Sequence, residues 1–181
     1  MENENNYGGT GKRTMLTGMF ADRESTERAY NTLHERGYAK DDINLIMSDD
    51  TRKKYYADKD DHSELGTKAA EGAGTGAGIG GTIGAIIGVI AAIGTSVVIP
   101  GLGLIVAGPL AAGLAGAGAG GIAGGLVGAL VGSGIPEDRA KIYESGIKDG
   151  HVVMGVHPRT DEDADYFEKD WTENNGREIY R

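Results

Sequence analysis

Hydrophobic positions near the start of the chain change their period once, and the change separates a strand from a helix. "TMLTGMF" (14–20) is a short β-prone run. In "ADRESTERAYNTLHERGY", Ala29, Tyr30 and Leu33 share one helical face, Asp22 stands where it caps the first amides, and Gly37 is placed as a left-handed terminator. "INLIM" (43–47) predicts a second strand. Strand, helix and strand in so short a stretch have the size of a βαβ unit, whose crossover is right-handed and whose strands run parallel. The end of the chain has a similar grammar. "IPEDRAKIYESGIKDG" brings Ala140, Tyr143 and Ile147 onto one helical face between Pro136 and Gly150. "HVVMGVH" (151–157) alternates as a strand does. "TDEDADYFEKDWTENNG" predicts a helix that starts at Thr160, with Asp163 in the capping-box position and Ala164, Phe167 and Trp171 facing inward. "REIYR" closes the chain as a short edge strand.

Between these two halves the pattern is of another kind. Glycine recurs at every fourth position in Gly72, Gly76, Gly80, Gly84 and Gly88, and again in Gly116, Gly120, Gly124, Gly128 and Gly132. On a helix such a step makes a groove that winds slowly along one side and admits another backbone at close range. Five glycines cost roughly 4–5 kcal/mol of helix propensity against alanine, so close packing or a membrane must compensate. Ile79, Ile83, Ile86, Ile87, Ile90 and Ile93 project mainly away from the first glycine track and form an apolar outer face. "TSVVIPGLGLIVAGP" then supplies turn residues at Pro100, Gly101, Gly103 and Pro109, and a second helix is expected from about Pro109 to Gly132. The result is a glycine-zipper helical hairpin, each arm long enough at ~1.5 Å per residue to cross a ~30 Å hydrocarbon core. A soluble hairpin with its isoleucine face buried in an oligomer has the same pattern.

Charge sharpens the division. No Asp, Glu, Lys, Arg or His occurs from Gly72 to Pro136, so all 27 acidic and 18 basic residues lie outside that block. The organisation expected is a disordered tail (1–13), one half of an α/β domain as βαβ (14–50), a polar acidic linker or helix start (51–68), the hairpin (69–134), and the other half as αβα (135–181). Neither half buries a core alone, so the fold class expected is α+β: a small α/β sandwich built by both flanks, with a long Gly-rich helical hairpin inserted between them. A net charge of −9, with "TRKK" (51–54) as the best basic run, argues against a nucleic-acid binder. Cysteine is absent, which removes disulfides and thiolate chemistry. The polar start "MENENNYGGTGKRT" lacks the apolar core of a signal peptide and places the flanks on the cytoplasmic side, with the hairpin associated with or inserted in the inner membrane.

Several local matches to chemical motifs fail on context. Gly76, Gly78 and Gly81 have GxGxxG spacing, as do Gly116, Gly118 and Gly121, but neither follows a predicted strand and no acid stands about 20 residues on. "GGTGKRT" has Arg13 where a phosphate loop needs Ser or Thr. His34, His62, His151 and His157 share no metal spacing, and "DKDDHSE" (58–64) lacks the glycine and the final acid of a calcium loop. No catalytic residue, cofactor site, metal site or small-molecule substrate is therefore expected.

Taken together, "MLTGMFADRESTERAYNTLHERGYAKDDINLIMSDD" resembles the opening domain of the bacterial heat-induced general stress protein family, the general stress protein 17M type. "AGPLAAGLAGAGAGGIAGGLVGALVGSGIPEDRAKIYESGIKDGHVVMGVH" looks like the second half of its longer, glycine-zipper members, so the resemblance covers roughly 14–160. It implies a role in stress response and membrane association and carries no catalytic residues. The reading is a non-enzymatic stress protein whose hairpin inserts into or coats a membrane, or drives self-assembly. Its expected partners are further copies of the chain and membrane lipid. The alternative is a soluble ligand-binding or regulatory α/β domain that uses the hairpin as an oligomerisation arm.

Overall fold

The computed structural model describes residues 14–56, 97–99, 103–111 and 125–181. The described elements, in chain order, are β1 (Leu16–Phe20), α1 (Arg23–Glu35), a 3-10 turn (Lys40–Asp42), β2 (Ile43–Ser48), α2 (Asp49–Tyr56), β3 (Val97–Ile99), β4 (Leu104–Ala107), α3 (Gly125–Gly132), α4 (Glu137–Lys148), β5 (Val152–Val156), α5 (Asp161–Glu173) and β6 (Arg177–Tyr180). Local signals place most of their ends. Asp22 accepts from the Ser25 amide at 2.8 Å and caps α1, Gly37 follows that helix at φ +81°, and the Thr160 hydroxyl accepts from the Asp163 amide at 3.0 Å to cap α5.

The strands form one sheet in the order β3-β4-β2-β5-β1-β6 with every described pairing antiparallel, so the class is mixed α+β. The two flanks build this sheet together: β5 from the second flank lies between β1 and β2 from the first. Its register sets Leu16 opposite Val156 on one side and Ile43 opposite Val156 on the other. Because both neighbours run against β5, β1 and β2 run parallel to each other without touching. Among β1, β2, β5 and β6 the connectivity is the split βαβ arrangement, with everything between β2 and β5 added to it.

Side chains of a strand alternate between faces, and here both faces are covered. Leu16, Phe20, Leu45, Met47, Val152, Met154 and Val156 meet α1, α2 and α5 in one core with Leu33, Tyr38, Tyr56, Phe167 and Trp171. Met15, Met19, Ile46, Leu104, Val106 and Val153 meet α3 and α4 in a second, with Leu126, Leu130, Tyr143 and Ile147. That is why β1, β4 and β5 are buried along their whole length. A half-exposed sheet would have alternated polar and apolar residues.

Three expectations change in the middle of the chain. Residues 51–56, read above as a polar linker or a helix start, continue α2, and what changes is that Thr51 and Tyr56 are buried rather than solvated. The stretch between the glycine arrays, read as a turn joining two helices, holds the β3–β4 hairpin, which extends the sheet. Val97, Val98 and Ile99 are β-branched and Leu104, Ile105 and Val106 are apolar throughout, so each run suits a strand as well as a helix end. The available edge of β2 decides between them. Finally, a continuous second helix from Pro109 to Gly132 is interrupted: α3 begins at Gly125 with φ +59°, outside the helical region near −63°, so no straight helix enters it from the preceding residue.

Candidate functional site

The uncharged block is joined to the folded domain at three places, and the joints are the part of the predicted working segment whose geometry is visible. The first is the β3–β4 hairpin. Val97 lies opposite Val106 in it, so the strand on which the first array returns and the strand from which the second departs stand side by side at one end of the sheet, antiparallel.

The second joint is a latch made by Asn44. This residue is the second of β2, with only 1% of its surface exposed, on the face of the second core. Its side-chain oxygen accepts from the Leu110 amide at 2.8 Å, and its side-chain amide donates to the Gly155 carbonyl at 3.3 Å. Pro109 opens a helical turn there, and Leu110 is one of the early helix amides that have no partner within the helix. A buried amide side chain with both ends engaged thus caps the departing segment from the side of the sheet. Gly108, immediately before, has φ +92° and runs so close to β2 that a Cβ would overlap the Ile43 carbonyl. "INLIM" reads as a strand without showing this: the one polar residue in it was the available signal.

The third joint is α3, which packs on α4. Leu126 and Leu130 are 1% exposed in the second core, and Ile135 donates its amide back to the Leu130 carbonyl at 3.1 Å. Gly128 and Gly132, two of the predicted helix-packing residues, lie on the exposed side of α3, and no described atom comes within 4 Å of where a Cβ would be. Val131 beside them is 42% exposed. Gly72, Gly76, Gly80, Gly84, Gly88, Gly116, Gly120 and Gly124 fall outside the described residues, as do Ile79, Ile83, Ile86, Ile87, Ile90 and Ile93.

Two clusters of polar side chains help hold the domain together. Tyr38 donates its hydroxyl to Asp163 at 2.7 Å and accepts the Arg159 amide at 2.7 Å, while Arg36 pairs with Asp163 and lies 3.8 Å from the Tyr166 ring centre. The Tyr38 hydroxyl first, with Arg36 beside it, holds the Asp163 carboxyl below its ordinary range. This cluster ties the end of α1 to the start of α5. On the other face, buried Thr17 and Tyr143 share a 2.8 Å hydrogen bond, and Tyr143 donates to the Glu178 carbonyl at 2.7 Å, pinning edge strand β6 to α4. Among the described residues, no group of three His, Cys, Asp or Glu side chains is arranged to hold a metal ion, and no helix is long and apolar enough to cross a membrane.

One carboxylate is poorly placed. Asp170 on α5 has a buried side-chain oxygen with no hydrogen-bond partner among the described residues, and burial pushes its carboxyl above the ordinary range. Raised pKa in the folded state means that ionised Asp170 weakens the fold above that pKa and that the penalty fades as pH falls toward the unfolded value. Asp170→Asn is therefore expected to raise the urea midpoint at pH 7, with the difference closing by about pH 4. An unchanged midpoint at pH 7 would mean that solvent reaches the carboxylate.

The fold and its joints define a mixed α+β domain with a stretch of the uncharged block paired into its sheet. No protein-family model, curated protein or solved structure matches the chain.

Proposed function

We propose that the protein is a non-enzymatic general stress protein whose glycine-zipper tracts do its work, by inserting into or coating a membrane from the cytoplasmic side, by assembling copies of the chain, or both. One observation carries the reading: a block with no charged residue from Gly72 to Pro136 departs from and returns to the sheet of the domain that both flanks build. The glycine tracks supply close backbone approach, and the isoleucine face supplies apolar area that needs a cover. Adjacent antiparallel strands at the root favour pairing of the two tracts.

The test is fractionation of the untagged chain with carbonate washing, then sizing of the released fraction. Retention in membranes, or release as a large uniform particle, is expected. Gly84→Leu together with Gly124→Leu should convert either product to a smaller soluble species, because leucine blocks backbone approach. Unchanged assembly in the double variant would sink the proposal.

A further inference from the structure

We infer that Asn175 is a self-modification site: when edge strand β6 lets go of β1, the Asn175 side chain loses ammonia to the Gly176 backbone and becomes aspartate or isoaspartate. Water is the co-reactant, and no cofactor enters.

The chain holds one Asn-Gly pair, in "ENNGRE" (173–178). Glycine hinders attack by its own nitrogen least, because it has no Cβ. The pair sits in the turn that ends α5. Asn175 is exposed and left-handed at φ +62°, its amide donates to the Thr172 carbonyl at 3.3 Å, and the Gly176 amide donates to the Trp171 carbonyl at 2.7 Å. Gly176 is wedged in place: a Cβ there would stand 2.6 Å from the Trp171 carbonyl oxygen and 3.1 Å from the Phe20 ring. Asn174 differs. Its Oδ1 accepts from Arg28 and its Nδ2 donates to the Asp170 carbonyl, each at 2.9 Å, so both ends of its amide are engaged.

Deamidation passes through a cyclic imide. The Gly176 nitrogen gives up its proton and bonds to Asn175 Cγ; the Cγ–Nδ2 bond breaks, and ammonia carries that proton away. Water then opens the imide at Cγ, giving aspartate, or at the main-chain carbonyl carbon of Asn175, giving isoaspartate. In the closed turn the Gly176 proton is engaged with Trp171. Nor can that peptide unit swing without moving Arg177, the first residue of β6 and the partner of Met19 on β1. Ring closure therefore waits for β6 to leave.

β6 is weakly held. It has four residues, none of them buried, a break in its register against β1, and a second left-handed residue, Glu178 at φ +50°. Helix α4 fastens it, through the 2.7 Å bond from Tyr143 to the Glu178 carbonyl and the 2.6 Å pair of Arg139 with Glu178. Isoaspartate inserts a methylene into the main chain between the Trp171 contact and the Met19 pairing, so β6 does not regain its register and the opening is recorded covalently.

Tryptic peptide 170–177 carries both Asn174 and Asn175, and mass spectrometry reads the gain from amide to acid at each. The full-length chain is aged in mildly alkaline buffer, folded and in denaturant. Asn175 should react about 10–100-fold more slowly in the folded chain, as a local opening dictates, with Asn174 unchanged there. Tyr143→Phe should raise the folded rate several-fold, and Arg139→Gln, at a partly exposed position, should do the same if Tyr143→Phe fails to fold. Val106→Ala on β4, three strands away from β6, should lower overall stability without raising the rate. Aged chain should be cut after Arg177 by limiting trypsin sooner than fresh chain. Equal rates in folded and denatured chain, acceleration by Val106→Ala as large as by Tyr143→Phe, equal trypsin cleavage, or a folded chain that reacts only once it unfolds would each overturn the inference.

Discussion

Gly108→Ala is expected to lower the unfolding free energy by more than about 3 kcal/mol, whereas Gly134→Ala costs about 1–2 kcal/mol. The two glycines have the same φ, +92°, so the intrinsic strain of a side chain is common to both. Their surroundings differ. At Gly134 no described atom lies within 4 Å of the new Cβ; at Gly108 it meets the Ile43 carbonyl and comes 3.0 Å from the Asn44 Cα. These are backbone atoms of β2, which cannot rotate aside as a side chain does. Relief requires β4 to move off β2, and the same movement breaks the 2.8 Å bond from Leu110 to Asn44. Urea denaturation followed by the single tryptophan measures both variants. Equal losses would mean that the departing segment is not held against β2, and the joint described here would be wrong.

Trp171→Ala should cost about 3–5 kcal/mol, and Trp171→Phe much less. The indole is fully buried on α5, with its ring 5.6 Å from that of Phe20 in an edge-to-face contact. Its ring nitrogen is buried without a hydrogen-bond partner among the described residues, so a phenyl ring gives up packing volume and leaves no lone acceptor behind. β1 makes room for the indole by having no side chain at Gly18, where a Cβ would stand 2.9 Å from the six-membered ring. Gly18→Ala is thus destabilising in the wild-type background and better tolerated with Trp171→Phe. Thermal unfolding by circular dichroism across the four chains gives the coupling. Simple additivity of the two substitutions would contradict the contact.

Elements whose signals are local could be read along the chain. Asp22, Gly37 and Thr160 mark helix ends because a cap involves residues three or four apart, and Ala29, Tyr30 and Leu33 face inward because helical period is a property of the segment itself. The meeting of the two flanks also followed, since neither holds enough apolar residues for a core. The joints of the uncharged block did not. "VVI" and "LIVA" carry no periodicity that distinguishes strand from helix end, and the edge that claims "LIVA", on which "VVI" then pairs, belongs to β2, about a third of the chain away. Asn44 gave one hint, a polar residue inside an apolar strand, without naming Leu110 as its partner. Removing residues 69–134 to isolate the domain would consequently delete β3, β4 and α3 and open the second core.

By itself, the amino-acid sequence determined that charge and glycine periodicity divide the chain into a charged α+β domain and an uncharged insertion, because composition and short-range spacing are written residue by residue. Only the tertiary structure decided that the insertion is fastened to the sheet at its middle and that both faces of that sheet are covered. Strand pairing is a contest between distant segments for the same backbone hydrogen bonds, and its outcome depends on which edge remains open once the rest of the chain has packed.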